Sequence, residues 1–190
     1  ANIYRQYKAS LMVDDWNSHE DLKNLLRDER RNVVVLGPGA GTTPDVKTAL
    51  DTILTFNRRF VIDADAFTLY KSDPQSLFSR LSPECVMTPH MGEFERLFPN
   101  LTGNKIEKTQ KAAKTSNAIV VLKGSDTIIA APDGATIVHS HAPATLATAG
   151  SGDVLAGLIA GLMAQGMPSF MAAGAAGWLH YSRWIGANHP

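Results

Sequence analysis

A chain of 190 residues, 44% hydrophobic and 19% charged, has material for one sizeable core, and it reads as a single globular domain over 1–190. Its 18 basic residues balance 18 acidic ones, which excludes the electrostatic footprint of a nucleic-acid or anionic-membrane binder. The lone cysteine, Cys85, excludes a disulfide within the chain and suits a reducing, cytoplasmic setting as a buried, inert thiol. Residues 1–15 are polar and mixed with no signal-peptide pattern, and the longest apolar run, 154–164, is too short for a bilayer.

In chain order, Asn17-Ser18 leads a helical face of Leu22, Leu25 and Leu26. Val33–Leu36 is an apolar β-branched run, the mark of a buried parallel strand. Thr43-Pro44 supplies a cap and a first-turn proline for the next helix. Residues 60–62, 85–87 and 119–122 read as further buried strands, with a helix over 104–116. Two β-rich runs, 127–131 and 135–139, flank Pro132-Asp133-Gly134, a hairpin signal. Helices over 152–165 and about 169–187 close the chain. Trp178, Tyr181 and Trp184 fall at helical spacing in the second, as a core stripe. The alternation predicts an α/β fold: a mostly parallel sheet with helices on both faces.

Ligands of open α/β sheets bind beyond the carboxyl ends of the strands, and every unusual loop here follows a strand. Gly37-Pro38-Gly39-Ala40-Gly41 lacks the lysine of a P-loop. It is either a tight turn or backbone lining a flat or anionic substrate. Asp63 and Asp65 alternate at a strand end, where one carboxylate suits water-held Mg²⁺ and either one equally caps the helix near Ala66. In Pro89-His90-Met91-Gly92-Glu93, Glu93 suits a capping box or a Mg²⁺-bound water, and His90 reads as a ligand contact. His139, His141, His180 and His189 lack such a setting and read as surface or turn residues. Lys123-Gly124 puts an ammonium beyond a strand, where it is either solvated or a phosphate contact.

The most informative run is Ala147-Thr148-Ala149-Gly150-Ser151-Gly152-Asp153, at the head of an apolar helix. Unpaired helical N–H groups and the macrodipole favour an anion there. A carboxylate beside that anion is either an N-capping Asp or a base that takes a proton from a substrate hydroxyl.

Residues 33–41, 61–67, 88–97, 120–127 and 147–165 together resemble, in that order, the ADP- or ATP-dependent NAD(P)H-hydrate dehydratases, with similarity over about 32–187. The resemblance implies a ribokinase-like three-layer α/β/α fold and a metabolite-repair activity. Hydrated NADH or NADPH is phosphorylated on its ring hydroxyl, and loss of phosphate restores the reduced nicotinamide. By the same resemblance Asp153 is the catalytic base, and Gly150, Ser151 and Gly152 form the hole for the transferred phosphate. Lys123, Gly124, Ser125, Asp126 and Thr127 contact the adenine nucleotide. Gly39, Gly41, His90 and Asp153 meet the hydrated dinucleotide, and Glu93 and Asp63 suit Mg²⁺ through water. ADP is the nucleotide expected over ATP, Mg²⁺ the metal, and a homo-oligomer, commonly a tetramer, the assembly. Family members begin with a further strand–helix segment before the region matching 4–15 and continue past the match to 190. The expectation is that this chain lacks both parts. A ribokinase-like kinase of a vitamin precursor and a non-catalytic nucleotide-binding fragment are the other readings.

Overall fold

The β-branched runs form one sheet whose strands lie in chain order: β1 (Val33–Leu36), β2 (Arg59–Ile62), β3 (Val86–Met87), β4 (Ile119–Leu122), β5 (Thr127–Ala130) and β6 (Thr136–His139). This is a computed structural model, and it describes residues 12–16, 18–140 and 148–186. Ala147, His141 and His189 lie outside the described residues, as do residues 4–11, 187–190 and the side chain of Trp184. Strands β1 to β4 run parallel, Val34 beside Phe60 and Val86 beside Ile119, while β5 and β6 add the antiparallel hairpin turned by Pro132-Asp133-Gly134.

Side-chain alternation along each strand feeds two cores. Phe60, Ile62, Met87, Val120 and Leu122 point to one face, and Val61, Val86, Ile119 and Val121 to the other. The first face is covered by α1 (His19–Arg27), α2 (Pro44–Ile53), α3 (Asp65–Tyr70), α4 (Pro74–Phe78), α5 (Met91–Leu97) and α6 (Lys105–Ser116). All three parallel crossovers lie on this side, as a single handedness of connection requires. The second face carries α7 (Ser151–Ala164) and α8 (Ser169–Gly186), completing three layers. Local chemistry starts the helices where the sequence places them. Ser18 caps α1, Thr43 caps α2 ahead of Pro44, and Asn104 with Glu107 makes a capping box on α6. Among the described residues no helix is long and apolar enough to cross a membrane.

Helix α8 departs from the aromatic stripe. Trp178 is 62% exposed, whereas Tyr181 is buried, as are Ala172, Ala173 and Ala176. The small residues bring the helix close to the hairpin. A Cβ on Gly174 would come within 2.7 Å of Ile137, and one on Gly177 within 2.8 Å of the His139 ring. The same packing corrects two histidines: His139 is half-buried with Nε2 3.1 Å from the Gly174 carbonyl, and His180 is only 6% exposed.

Candidate functional site

Because β1 to β4 are parallel, the loops that follow them emerge at one edge, and contacts join each loop to the next. Gly37, at φ +118°, lies so close to the β2–α3 turn that a Cβ would sit 1.7 Å from the Asp63 carbonyl oxygen. Only glycine fits there. Ala64 occupies a sparsely populated conformation, φ 49° and ψ −119°. That turn sends its flanking carboxylates to different partners. Asp65 Oδ2 accepts the Gly41 N–H at 2.9 Å, and Asp63 Oδ1 pairs with Lys123 Nζ at 2.8 Å. Lys123 in turn bridges His90 as a parallel β-pair, its N–H donating to the Pro89 carbonyl at 2.9 Å.

His90 caps α5 through its ring. Nδ1 accepts from the Gly92 N–H at 3.0 Å, and Glu93 Oε2 accepts from the His90 N–H at 2.9 Å. An accepting Nδ1 puts the proton of the neutral ring on Nε2. That nitrogen lies 3.5 Å from Glu93 Oε1, and the side chain is 56% exposed. His90 therefore presents a fixed N–H donor at the open edge. Gly39 and Gly41, both at positive φ, have nothing within 4 Å of where a Cβ would stand and face open space.

In the β4–β5 connection, Gly124 and Ser125 are exposed, while Asp126 is held by Lys105 Nζ, 2.7 Å from Oδ1. The Lys105 hydrogen bond keeps the Asp126 carboxyl below its ordinary pKa. Thr127 is fully buried; its hydroxyl donates to the Gly124 carbonyl and accepts from Tyr181. Both residues shape the loop that carries Gly124 and Ser125.

Helix α7 begins after Gly150, which caps it at φ 84° with no side-chain hydrogen bond. The N–H groups of Gly152 and Asp153 lack intrahelical partners. Lys123 Nζ stands 3.1 Å from the place a Cβ on Gly152 would take, with Asp63 Oδ2 at 3.8 Å. A cation and a positive helix end thus adjoin the same spot, an arrangement that calls for an anion. Asp153 is exposed, and among the described residues its carboxylate takes no hydrogen bond or ion pair, so it does not cap the helix. Ser151 Oγ lies 3.2 Å from His180 Nε2.

The structure therefore gathers Gly41, Asp63, His90, Lys123 and Gly152 at one edge. Among the described residues no group of three possible metal ligands exists; Asp63 pairs with Lys123 through Oδ1, and Glu93 closes the capping box through Oε2. Sequence reasoning passed over Lys105, took His180 for a surface or turn residue, and placed Tyr181 in a core stripe without its partner. Their partners lie 21, 29 and 54 residues away, and no local pattern signals such pairs.

The family model described as NAD(P)H-hydrate dehydratase matches residues 2–185. The chain is 42% identical over 135 residues to a bifunctional NAD(P)H-hydrate repair enzyme Nnr of Thermosynechococcus vestitus, covering 67% of this chain and 25% of the relative. It is 37% identical over 164 residues to an ADP-dependent (S)-NAD(P)H-hydrate dehydratase of Neisseria meningitidis, covering 83% of this chain and 55% of that one. A crystal structure of an ADP/ATP-dependent NAD(P)H-hydrate dehydratase from Bacillus subtilis, co-crystallised with ATP and Mg²⁺, superimposes with a TM-score of 0.67 at 29% identity, over 84% of this chain and 57% of that one. The chain spans from 25% to 55% of the length of the first three curated relatives it matches. With the fold, the loops and the family model in agreement over nearly its whole length, the chain belongs to the NAD(P)H-hydrate dehydratase family.

Proposed function

We propose that this chain carries the site for nucleotide-dependent dehydration of hydrated NADH and NADPH, with ADP as phosphoryl donor. The observation that carries the reading is Asp153: a carboxylate without a partner among the described residues, on the uncapped helix head that adjoins Lys123. The N–H groups of Gly152 and Asp153 and the Lys123 ammonium would hold the transferring phosphoryl group, whose charge builds where fixed donors already point. Asp153 would take the ring hydroxyl's proton as its oxygen bonds to phosphorus and the bond to the departing nucleotide oxygen breaks. In the second step the ring C–O bond breaks, its electron pair leaves with phosphate, and loss of a neighbouring ring proton forms the double bond. The Nε2–H of His90 and the open backbone at Gly39 and Gly41 would meet the dinucleotide, and Gly124 and Ser125 the adenine nucleotide.

Mg²⁺, when bound with the nucleotide, supplies charge neutralisation on the phosphates. It needs few protein ligands and keeps its waters, which suits a site without a three-ligand cage. ADP is favoured by the name of the Neisseria relative; the Bacillus enzyme is named for both nucleotides. The same reading includes a cytoplasmic setting, supported by the buried free thiol of Cys85, and a homo-oligomer, commonly a tetramer. Exposed Val154, Met171 and Trp178 on α7 and α8 support an apolar subunit contact.

The test incubates the chain with hydrated NADH, ADP and Mg²⁺ and follows the absorbance of reduced nicotinamide. Recovery is expected, and Asp153→Asn lowers it by ~10²–10⁴ while ADP still binds. A stable phosphorylated vitamin-precursor alcohol in place of recovery would establish a kinase. ADP binding with no turnover of any kind would establish a nucleotide-binding fragment.

A further inference from the structure

We infer that His180 is a positioning residue: its Nε2–H donates to Ser151 Oγ and so turns the Ser151 hydroxyl hydrogen toward the anion at the head of α7. The inference rests on the reading of that helix head as a phosphate site. His180 is 6% exposed, lies on α8, and reaches the first residue of α7 at 3.2 Å. Its other ring nitrogen, Nδ1, is buried and has no hydrogen-bond partner among the described residues. A neutral imidazole carries one N–H, so two arrangements exist. With the proton on Nδ1, a buried donor goes unpaired and Nε2 draws the serine hydrogen toward α8, away from the anion. With the proton on Nε2, both members of the contact are used, and Nδ1 is left only as an unfilled acceptor. Orphaned buried N–H groups are the rarer and costlier defect, so the second arrangement prevails. Burial also lowers the pKa of His180, which keeps the ring neutral.

The consequence is a division of labour at the helix head. The N–H groups of Gly152 and Asp153 point at the anion by virtue of the helix itself. The Ser151 hydroxyl rotates freely in its own right and becomes a fixed third donor only because His180 occupies its oxygen. Preorganised donors of this kind lower the barrier without changing how tightly the ground state binds.

Nitrogen NMR of the imidazole rings in the whole chain reads the tautomer directly, and His180→Leu identifies the signal. The Nε2–H form is expected; the Nδ1–H form overturns the proposal, whatever the reaction. In turnover with ADP and hydrated NADH, His180→Leu and Ser151→Ala each lower kcat about tenfold with little change in the ADP KM, while His180→Gln, which keeps a donor near Nε2, restores most of the rate. The double variant loses no more than either single one, because both remove the same donor. Losses that multiply in the double variant, or that His180→Gln fails to restore while its thermal melt matches wild type, overturn the proposal. A wild-type chain that binds no ADP by calorimetry overturns the proposed function and the anion half of this inference, while leaving the tautomer assignment standing.

Discussion

Asp63→Asn separates two roles for one carboxylate. Asp63 is 1% exposed and its Oδ1 lies 2.8 Å from the Lys123 ammonium, which is itself 19% exposed. At that distance and an effective dielectric near 20, the attraction is roughly 6 kcal/mol, most of it offset by taking both charges out of water. Removing one partner of a buried pair costs about 3–5 kcal/mol. Lys123 retains some contact with solvent and a flexible stem, and asparagine keeps the shape, so the lower end applies. A loss of about 3 kcal/mol lowers Tm by roughly 6–12 °C for a chain of this size. The freed ammonium also leaves its place beside Gly152, which weakens ADP binding roughly tenfold to hundredfold. Thermal melts and calorimetric titration with ADP read the two effects. Adding Lys123→Met to Asp63→Asn should return most of the stability, since no unpaired buried charge remains, without returning ADP affinity. A variant with Tm within about 2 °C of wild type, unchanged ADP affinity and a raised Mg²⁺ requirement would refute the ion-pair role and favour Asp63 as a metal carboxylate.

Two further perturbations test the frame around the site. Gly37→Ala combines positive φ with a Cβ 1.7 Å from a backbone oxygen, so it forces Asp63 to move; Gly39→Ala meets only the strain of its φ of +63°. Chemical denaturation should show about 1 kcal/mol lost at Gly39 and several times that at Gly37, and equal losses would contradict the close approach. Burial lowers the pKa of both His139 and His180 from the ordinary 6.5. The unfolded chain then binds protons first, so stability is full above pH 6.5 and declines as pH falls from there toward the folded-state values. Stability measured by denaturant across that window should show the decline, and His139→Gln with His180→Gln should flatten it.

The sheet was legible because its signals are local. Val33–Leu36 and Ile119–Leu122 are apolar β-branched runs bounded by polar loops, and both strands fall where the pattern puts them. Thr43-Pro44 and Asn104 announce helix starts by chemistry that acts within four residues. The site was legible only as an address. That Gly37–Gly41, Asp63, His90 and Lys123 share an edge follows from parallel strands. Which of them touch does not, because Lys123 and Asp63 are 60 residues apart in the chain. The aromatic stripe misled for a related reason: periodicity shows that residues share a helix face, and packing against the β5–β6 hairpin decides which face goes in. There Gly174 and Gly177 make the close approach, and Trp178 is left exposed.

The carboxylates at this edge support the proposal that Asp153 is the base. Read from sequence, five acidic groups lie on the strand-end side: Asp63, Asp65 and Glu93 suit Mg²⁺ or a helix cap, Asp126 the nucleotide, and Asp153 a base or a helix cap. In the fold four of them are occupied, by the Lys123 ammonium, the Gly41 N–H, the His90 N–H and the Lys105 ammonium. Each of those bonds ties one loop or helix start to another and favours the ionised form of its carboxylate, which makes it a poorer proton acceptor. Asp153 alone of the five has no such bond among the described residues, and it sits where helical N–H groups are also unspent. The proposed base has to reach the substrate hydroxyl beside the donors that meet the developing charge. The structural work done by the other four is what leaves that combination at Asp153.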